Sequence, residues 1–182
     1  MYVLGIDLGN KTRTALVLLL DTKLIEWSHF NYNESESAWH HRQKIVQKIK
    51  FYIDKYNLTK NDYILFEQIF FSKGLSKMSN ITSMAFLQAT IINEFSNNIS
   101  ICEIHVQSWK SKVLGSRSAT KEDSINFVEK HYPQINLNLI VHHKRKDDEI
   151  IKDHDTADAI CIALFPQYVD KIYLNNRLVN YT

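Results

Sequence analysis

Four acidic residues lie in or beside apolar segments, where an isolated charge is costly to bury. Asp7 interrupts the apolar stretch from Leu4 to Leu20, and Glu67 ends the stretch "DYILFE". Asp155 and Asp158 stand three residues apart at the start of "DTADAICIALF". Carboxylates gathered around divalent cations offset the cost of desolvating each one. Such hard oxygen ligands suit Mg²⁺ or Mn²⁺, and two such ions can activate a water and stabilise the leaving oxygen of a phosphodiester.

Each acid also has an ordinary structural interpretation. Asp7 could cap the turn at Gly9-Asn10, and Glu67 could pair with a buried lysine. Asp155 could be a helix N-cap, which is the commoner role of Asp before an apolar helix. Asp158 could pair with a neighbouring cation. Because all four acids adjoin core elements, the sequence favours a shared metal site over four separate structural roles.

The elements that would position these acids form an α/β pattern. A three-stranded antiparallel series is followed by strands that alternate with helices, which predicts a mixed sheet flanked by helices. Such a sheet collects functional groups at its strand ends. We predict strands over 2–8, 12–20, 23–30, 62–67 and 100–106, and helices over 34–56, 120–131 and 156–165. A further helix is predicted from a cap at Ser79 or Asn80 to Phe95, and Trp39 is expected on the buried face of the first helix.

Two of the four glycines flank Asp7. Gly5 is expected to leave room beside the acid, and Gly9 to let the chain turn sharply after it. The pattern therefore predicts that the surroundings of Asp7 are crowded.

Length and composition indicate one domain of 182 residues, with a core over about 1–165 and a tail over 166–182 to which we assign no role. The sequence shows no signal peptide and no apolar run long enough to cross a bilayer. Cys102 and Cys161 lie in apolar stretches, which indicates buried thiols in a reducing compartment. The net charge is +2, with basic clusters at 42–50, 110–121 and 144–146. A basic surface around an acidic pocket suits a bound polyanion, although a solvated surface of mixed charge accounts for the same clusters.

Four motifs in this order resemble the RuvC family of Holliday junction resolvases, which have the RNase H-like fold. The motifs are "GIDLG" at 5–9, "FEQIFFSK" at 66–73, "SWKSKVLGSRSATKED" at 108–123 and "DTADAICIAL" at 155–164. The resemblance covers about the first 165 residues and indicates a divergent, phage-type branch. It implies a five-stranded mixed sheet and a catalytic, metal-binding set made of Asp7, Glu67, Asp155 and Asp158.

The resemblance also implies what the site acts on. The expected cofactors are two Mg²⁺ or Mn²⁺ ions, and the expected partner is branched DNA held by a homodimer in the cytoplasm, of the host if the chain is phage-encoded. Paired nicks would leave a 5′-phosphate and a 3′-hydroxyl. Lys112 and Lys121 match basic positions that contact phosphate, and Phe70 or Phe71 would stack on unpaired bases. His154 could be a ligand or a base, although a lone histidine more often has a structural role.

Other functions stay open at this point. An actin-like or sugar-kinase ATPase also begins with a "GIDLG" strand, but such a protein needs further glycine-rich loops that four glycines do not provide. A branched-DNA-binding module without cleavage would have the same fold, as would an RNase H-like nuclease acting on another nucleic acid. Cleavage of a panel of branched and hybrid substrates distinguishes these alternatives.

Overall fold

The structure of the protein is a computed structural model. It describes residues 1–9, 13–31, 35–69, 78–141 and 149–170, together with residues 174 and 178. Among the helices of these residues, none combines the length and hydropathy that a bilayer-crossing segment requires.

The central feature is a mixed sheet of five strands in the order β3-β2-β1-β4-β5. The strands are β1 (Tyr2–Asp7), β2 (Arg13–Leu20), β3 (Lys23–Asn31), β4 (Tyr63–Glu67) and β5 (Ser100–Ile104). The first three pair antiparallel, and β4 and β5 pair parallel to β1 and to each other. A two-residue turn at Asp21-Thr22 joins β2 to β3, with Asp21 in the left-handed region at φ 55°. This is the predicted α/β topology.

Five helices of eight residues or more lie in the described ranges: α1 (Ala38–Tyr56), α2 (Met78–Phe95), α3 (Val106–Val113), α4 (Lys121–His131) and α5 (His154–Leu164). A small hairpin of β6 (Asn138–Val141) and β7 (Glu149–Lys152) precedes α5 in the chain. A short 3₁₀ helix (Phe165–Tyr168) follows α5 directly. Thr120 caps α4 through a capping box with Asp123. Satisfying the free backbone N–H groups in this way fixes where α4 begins.

Alternating side chains of the sheet enter two cores, because successive residues of a strand point to opposite faces. One face packs against α1 and α2, and includes Leu4, Ile6 and Phe66. The other face packs against α3, α4 and α5, and includes Val3 and Leu65. Asp7 and Glu67 follow the second series by period two, so they lie on the α5 side of the sheet.

Helix α5 crosses β1 in very close contact. A Cβ placed on Gly5 would overlap the carbonyl oxygen of Ala159 and would lie 2.7 Å from Ala163 Cβ. Gly5 thus makes room for a helix rather than only for Asp7. Gly9 is needed for a similar reason, since a Cβ there would meet the carbonyl oxygen of Arg13. Its φ is not in the left-handed region, so close approach of the two hairpin strands accounts for this glycine.

Several predicted boundaries were wrong. Helix α2 begins at Met78, so Ser79 and Asn80 lie inside it and do not cap it. Trp39 is 58% exposed and lies outside the core. The strand predicted to reach Val106 ends at Ile104, because Val106 begins α3, a helix that the sequence reading missed along with the β6–β7 hairpin. Cys102 and Cys161 are buried and form no disulfide, which confirms the predicted buried thiols.

Candidate active site

Asp7 and Glu67 end two neighbouring parallel strands. In the register of β1 with β4, Ile6 pairs with Phe66, so the two acids are the next residues along each strand. Neighbouring strands lie about 4.8 Å apart. The carboxyl ends of parallel strands share one edge of the sheet, so the two carboxylates are neighbours on the same face.

Helix α5 brings the other two acids to this edge. Its N-cap is Asp153, whose side chain accepts hydrogen bonds from Thr156 N at 3.1 Å and Thr156 Oγ1 at 2.8 Å. The alternative in which Asp155 caps the helix is therefore wrong. Asp155 and Asp158 instead lie in the first turns of α5, on the part of the helix that faces the end of β1.

The electrostatics show that the acids are close together. Burial raises the pKa of Asp7 well above its usual value, and the negative charges of Glu67, Asp158 and Asp155 raise it further. The ammonium group of Lys121 acts in the opposite direction. Burial also raises the pKa values of Glu67 and Asp158, and the charge of Asp158 raises that of Glu67 further. Such mutual repulsion in a partly buried site is relieved when a proton or a cation binds.

Asp158 has an unused ligand atom. Its Oδ1 is buried and has no hydrogen-bond partner among the described residues, although the nearby Ser124 hydroxyl lowers the pKa of the carboxyl group. Buried carboxylate oxygens are normally hydrogen-bonded or bound to a metal. The donor set, all carboxylate, fits Mg²⁺ or Mn²⁺. In the described part of the chain, however, no three His, Cys, Asp or Glu side chains already surround one point as the ligands of a bound ion do.

Two neighbouring residues of α3 act on Glu67, and the sequence reading assigned neither to the site. Trp109 is fully buried, and its Nε1 donates a hydrogen bond to Glu67 Oε1 at 2.7 Å. Lys110 lowers the pKa values of both Glu67 and Asp158, and its Nζ donates to the carbonyl oxygen of Ala119 at 2.7 Å. The only indication in the sequence that these two residues belong to the site is their place in the "SWKSK" motif. Nothing in the spacing of that motif distinguishes Lys110 from Lys112.

A chain of polar contacts borders the site at the start of α4. Lys121 Nζ contacts His154 Nε2, and the same ring nitrogen lies 3.0 Å from Asp155 Oδ1. Lys121 also lowers the pKa values of Asp7 and Asp158. The structure therefore places Lys121 and His154 against the acid cluster, where a phosphate bound at the acids would meet positive charge.

Arg13 links β2 to the N-terminus of α5. Its Nη1 donates to Asp153 Oδ1 at 3.0 Å, and its Nε lies 3.9 Å from Asp155 Oδ2. Asn31 Oδ1 accepts from the same Nε at 2.9 Å, which anchors the guanidinium. The sequence reading missed Arg13 because its acidic partners lie about 140 residues away along the chain.

The remaining predicted DNA contacts are Lys112, Phe70 and Phe71. Lys112 borders a separate recess on another flank of α3. Phe70 and Phe71 lie outside the described residues, as do Lys144 to Lys146. The structure thus adds Lys110 beside the acids, while the DNA-contact roles of Lys112, Phe70 and Phe71 stay predictions.

Comparison with solved structures identifies the fold. RuvC from Thermus thermophilus superposes with a TM-score of 0.67 at 16% identity, over 96% of this chain and 98% of that one. The same protein in complex with a Holliday junction substrate gives a TM-score of 0.69 at 16% identity, over 98% and 99%. The chain has the RuvC fold. The yeast mitochondrial Holliday junction resolvase is also similar, with a TM-score of 0.50 at 17% identity, over 90% of this chain and 76% of that one.

Sequence comparison gives a different result. No family model and no curated protein matches the sequence. Identities of 16–17% to proteins with the RuvC fold agree with the divergent branch that the motifs indicate. Within this RuvC fold, the acid cluster lies at the carboxyl ends of β1 and β4, beneath the first turns of α5.

Proposed function

We propose that this protein is a divalent-metal-dependent endonuclease that resolves Holliday junctions. The observation that carries the proposal is the half-buried cluster of Asp7, Glu67 and Asp158, which repel one another at the strand ends of a RuvC fold. Repulsive carboxylates destabilise a fold that has no use for them. A nuclease uses them to bind cations that a DNA phosphate must approach.

Four side chains would hold the ions: Asp7 at the centre, Glu67, Asp155 and Asp158. Two Mg²⁺ or Mn²⁺ ions bound there would activate the attacking water and stabilise the leaving oxygen. Trp109 orients Glu67 by donating a hydrogen bond from its indole N–H to the carboxylate. Lys110 and Lys121 add positive charge beside the acids, where they would contact the scissile or a neighbouring phosphate.

Branched DNA is the proposed substrate, because both the motif order and the fold are those of junction resolvases. One of the Thermus structures contains a Holliday junction substrate. We propose that the chain acts as a homodimer whose two sites nick opposite strands symmetrically, leaving a 5′-phosphate and a 3′-hydroxyl. Free, buried cysteines agree with action in a reducing cytoplasm.

Substrate cleavage tests the proposal. The native protein and Asp7→Asn would be incubated with Mg²⁺ and four-way, three-way, flap and RNA–DNA hybrid substrates. The matched control is Asp54→Asn, an exposed acid on the outer side of α1. We expect the native protein and the control to nick the four-way junction in pairs, and Asp7→Asn to bind it without cutting.

Other outcomes identify the alternatives. Binding without cutting by the native protein would indicate a junction-binding module. Preferred cutting of the hybrid would indicate a different RNase H-like nuclease. A cleavage-competent Asp7→Asn would refute the assigned site.

A further inference from the structure

A polar recess lies beside α3, apart from the acid cluster. Its volume is about 390 Å³, and it is lined by His105, Gln107, Ser108, Ser111, Lys112, Arg117 and Phe165. Phe165 is fully buried and forms an apolar wall, while Lys112 and Arg117 are exposed. The remaining lining residues are polar, and none of the seven is a carboxylate.

The recess offers hydrogen-bond donors that the fold itself does not use. Within the described ranges, neither Lys112 nor Arg117 forms an ion pair, and the hydroxyls of Ser108 and Ser111 have no hydrogen bond. Other basic side chains are neutralised locally: Lys48 and Lys55 both contact Glu26, at 3.2 Å and 2.8 Å. Two cations and two hydroxyls without an acid form a site for a phosphate group, since guanidinium and hydroxyl groups both donate to phosphate oxygens.

Helical geometry places this recess on one flank of α3 and the acid cluster on the other. Residues at i, i+3 and i+7 share a helix face, so His105, Ser108 and Lys112 line one flank. Trp109 points into the core, and Lys110 lies about 100° around the helix from it, on the opposite flank. Lys110 acts on the acids, and Lys112 borders the recess.

An α-helix with its side chains is about 10–12 Å across. Phosphates of one DNA strand rise by about 3.4 Å per nucleotide along the duplex axis and also wind around it, so they lie farther apart in space than this rise. We propose that the recess binds a DNA backbone phosphate about two nucleotides from the phosphate held at the acids. The substrate strand would cross α3, with Lys110 contacting it on the near flank and Lys112 with Arg117 on the far flank. This inference rests on the proposed nuclease function and adds a second point at which the strand is fixed.

The test compares the double variant Lys112→Gln/Arg117→Gln with Lys23→Gln/Lys130→Gln. The control removes the same charge from exposed lysines on β3 and α4 that have no ion pair in the described part of the chain. Junction binding is measured in EDTA over a range of salt concentrations. We expect the recess variant to reduce the slope of log affinity against log salt by about 1, the value for one lost phosphate contact, and the control to leave the slope unchanged.

A scan of the DNA locates the contact. Junctions carry one neutral methylphosphonate at successive positions around the cut site. The native protein should lose affinity when the neutral linkage lies about two nucleotides from the cut. The recess variant should bind the junction with that neutral linkage as tightly as it binds the unmodified junction. Equal losses for both proteins, a flat scan, or no DNA binding by the native protein would overturn the proposal.

One further outcome distinguishes a DNA contact from a site for small anions. Another distinguishes an error in the recess proposal from an error in the proposed nuclease function. If inorganic phosphate shifts the Arg117 side-chain NMR signal saturably while the methylphosphonate scan is flat, the recess is a small-anion site and the DNA assignment is wrong. Cleavage is scored in parallel with Mg²⁺. A native protein that never cuts but shows the expected slope and scan would refute the nuclease and leave the phosphate recess in place.

Discussion

Replacing Asp7 by Asn should abolish cutting and at the same time stabilise the metal-free protein. Asp7 and Glu67 end adjacent strands, and neighbouring strands lie about 4.8 Å apart, a spacing that we take as the separation of the two charges. At an effective dielectric constant of 20, two like charges at that distance repel by about 3 kcal/mol. In a protein of this size 1 kcal/mol shifts Tm by about 2–4 °C. The lost attraction to Lys121 offsets part of the gain, so we expect Tm to rise by about 3–10 °C in EDTA near neutral pH.

The sign of the pH dependence follows from the raised pKa values. Asp7, Glu67 and Asp158 keep protons in the folded state at pH values where the unfolded chain has released them. The stability of the metal-free native protein should therefore fall as pH rises from the ordinary carboxyl range through these raised pKa values. The stability of the Asp7→Asn variant should fall less steeply over the same pH range.

Thermal unfolding followed by circular dichroism measures both effects, with Asp54→Asn as the control for loss of one acid. Mg²⁺ should raise the Tm of the native protein, because a ligand that binds only the folded state stabilises it, and should raise that of Asp7→Asn much less. A lower Tm for Asp7→Asn in EDTA, together with an undiminished response to Mg²⁺, would refute the electrostatic reasoning and assign Asp7 a structural role.

Three further substitutions test the surroundings of the acids. Trp109→Phe removes the hydrogen bond to Glu67, worth about 1.5–3 kcal/mol for a charged acceptor, and should slow junction cleavage about 10-fold or more in single-turnover assays. Lys110→Gln should raise the pKa values of Glu67 and Asp158 and move the acidic limb of the pH–rate profile to higher pH; an unmoved limb would place Lys110 outside the site. Gly5→Ala should lower the free energy of unfolding by about 1–3 kcal/mol in urea, because its methyl group overlaps α5.

The sheet was predictable because its signals are local. Short apolar runs and the Asp21-Thr22 turn determine the first three strands, and the capping box at Thr120 and Asp123 fixes the start of α4. Helix α3 was missed because it is only eight residues long, too short for its apolar periodicity to show in the sequence. Its buried residues, Trp109 and Val113, supply only two points of that pattern.

The site was predictable as residue types at strand and helix ends, but its partners were not. Asp7 and Glu67 stand out because acids rarely end apolar strands. Arg13 and Lys110 do not stand out, since an arginine at a strand start and a lysine in a charged motif are common on surfaces. Their roles depend on the packing of α3 and α5 against the sheet, which involves contacts between distant parts of the chain.

The close packing of Gly5 against α5 has a consequence for anyone who recombines this protein with a relative. Strand β1 and helix α5 are far apart in the sequence, yet they touch closely at Gly5, Ala159 and Ala163. A chimera that takes β1 from one parent and α5 from another would force a side chain into the backbone of its neighbour unless both parents have small residues there. Exchange of residues 1–9 together with residues 153–165 should preserve the fold, whereas exchange of either segment alone should not.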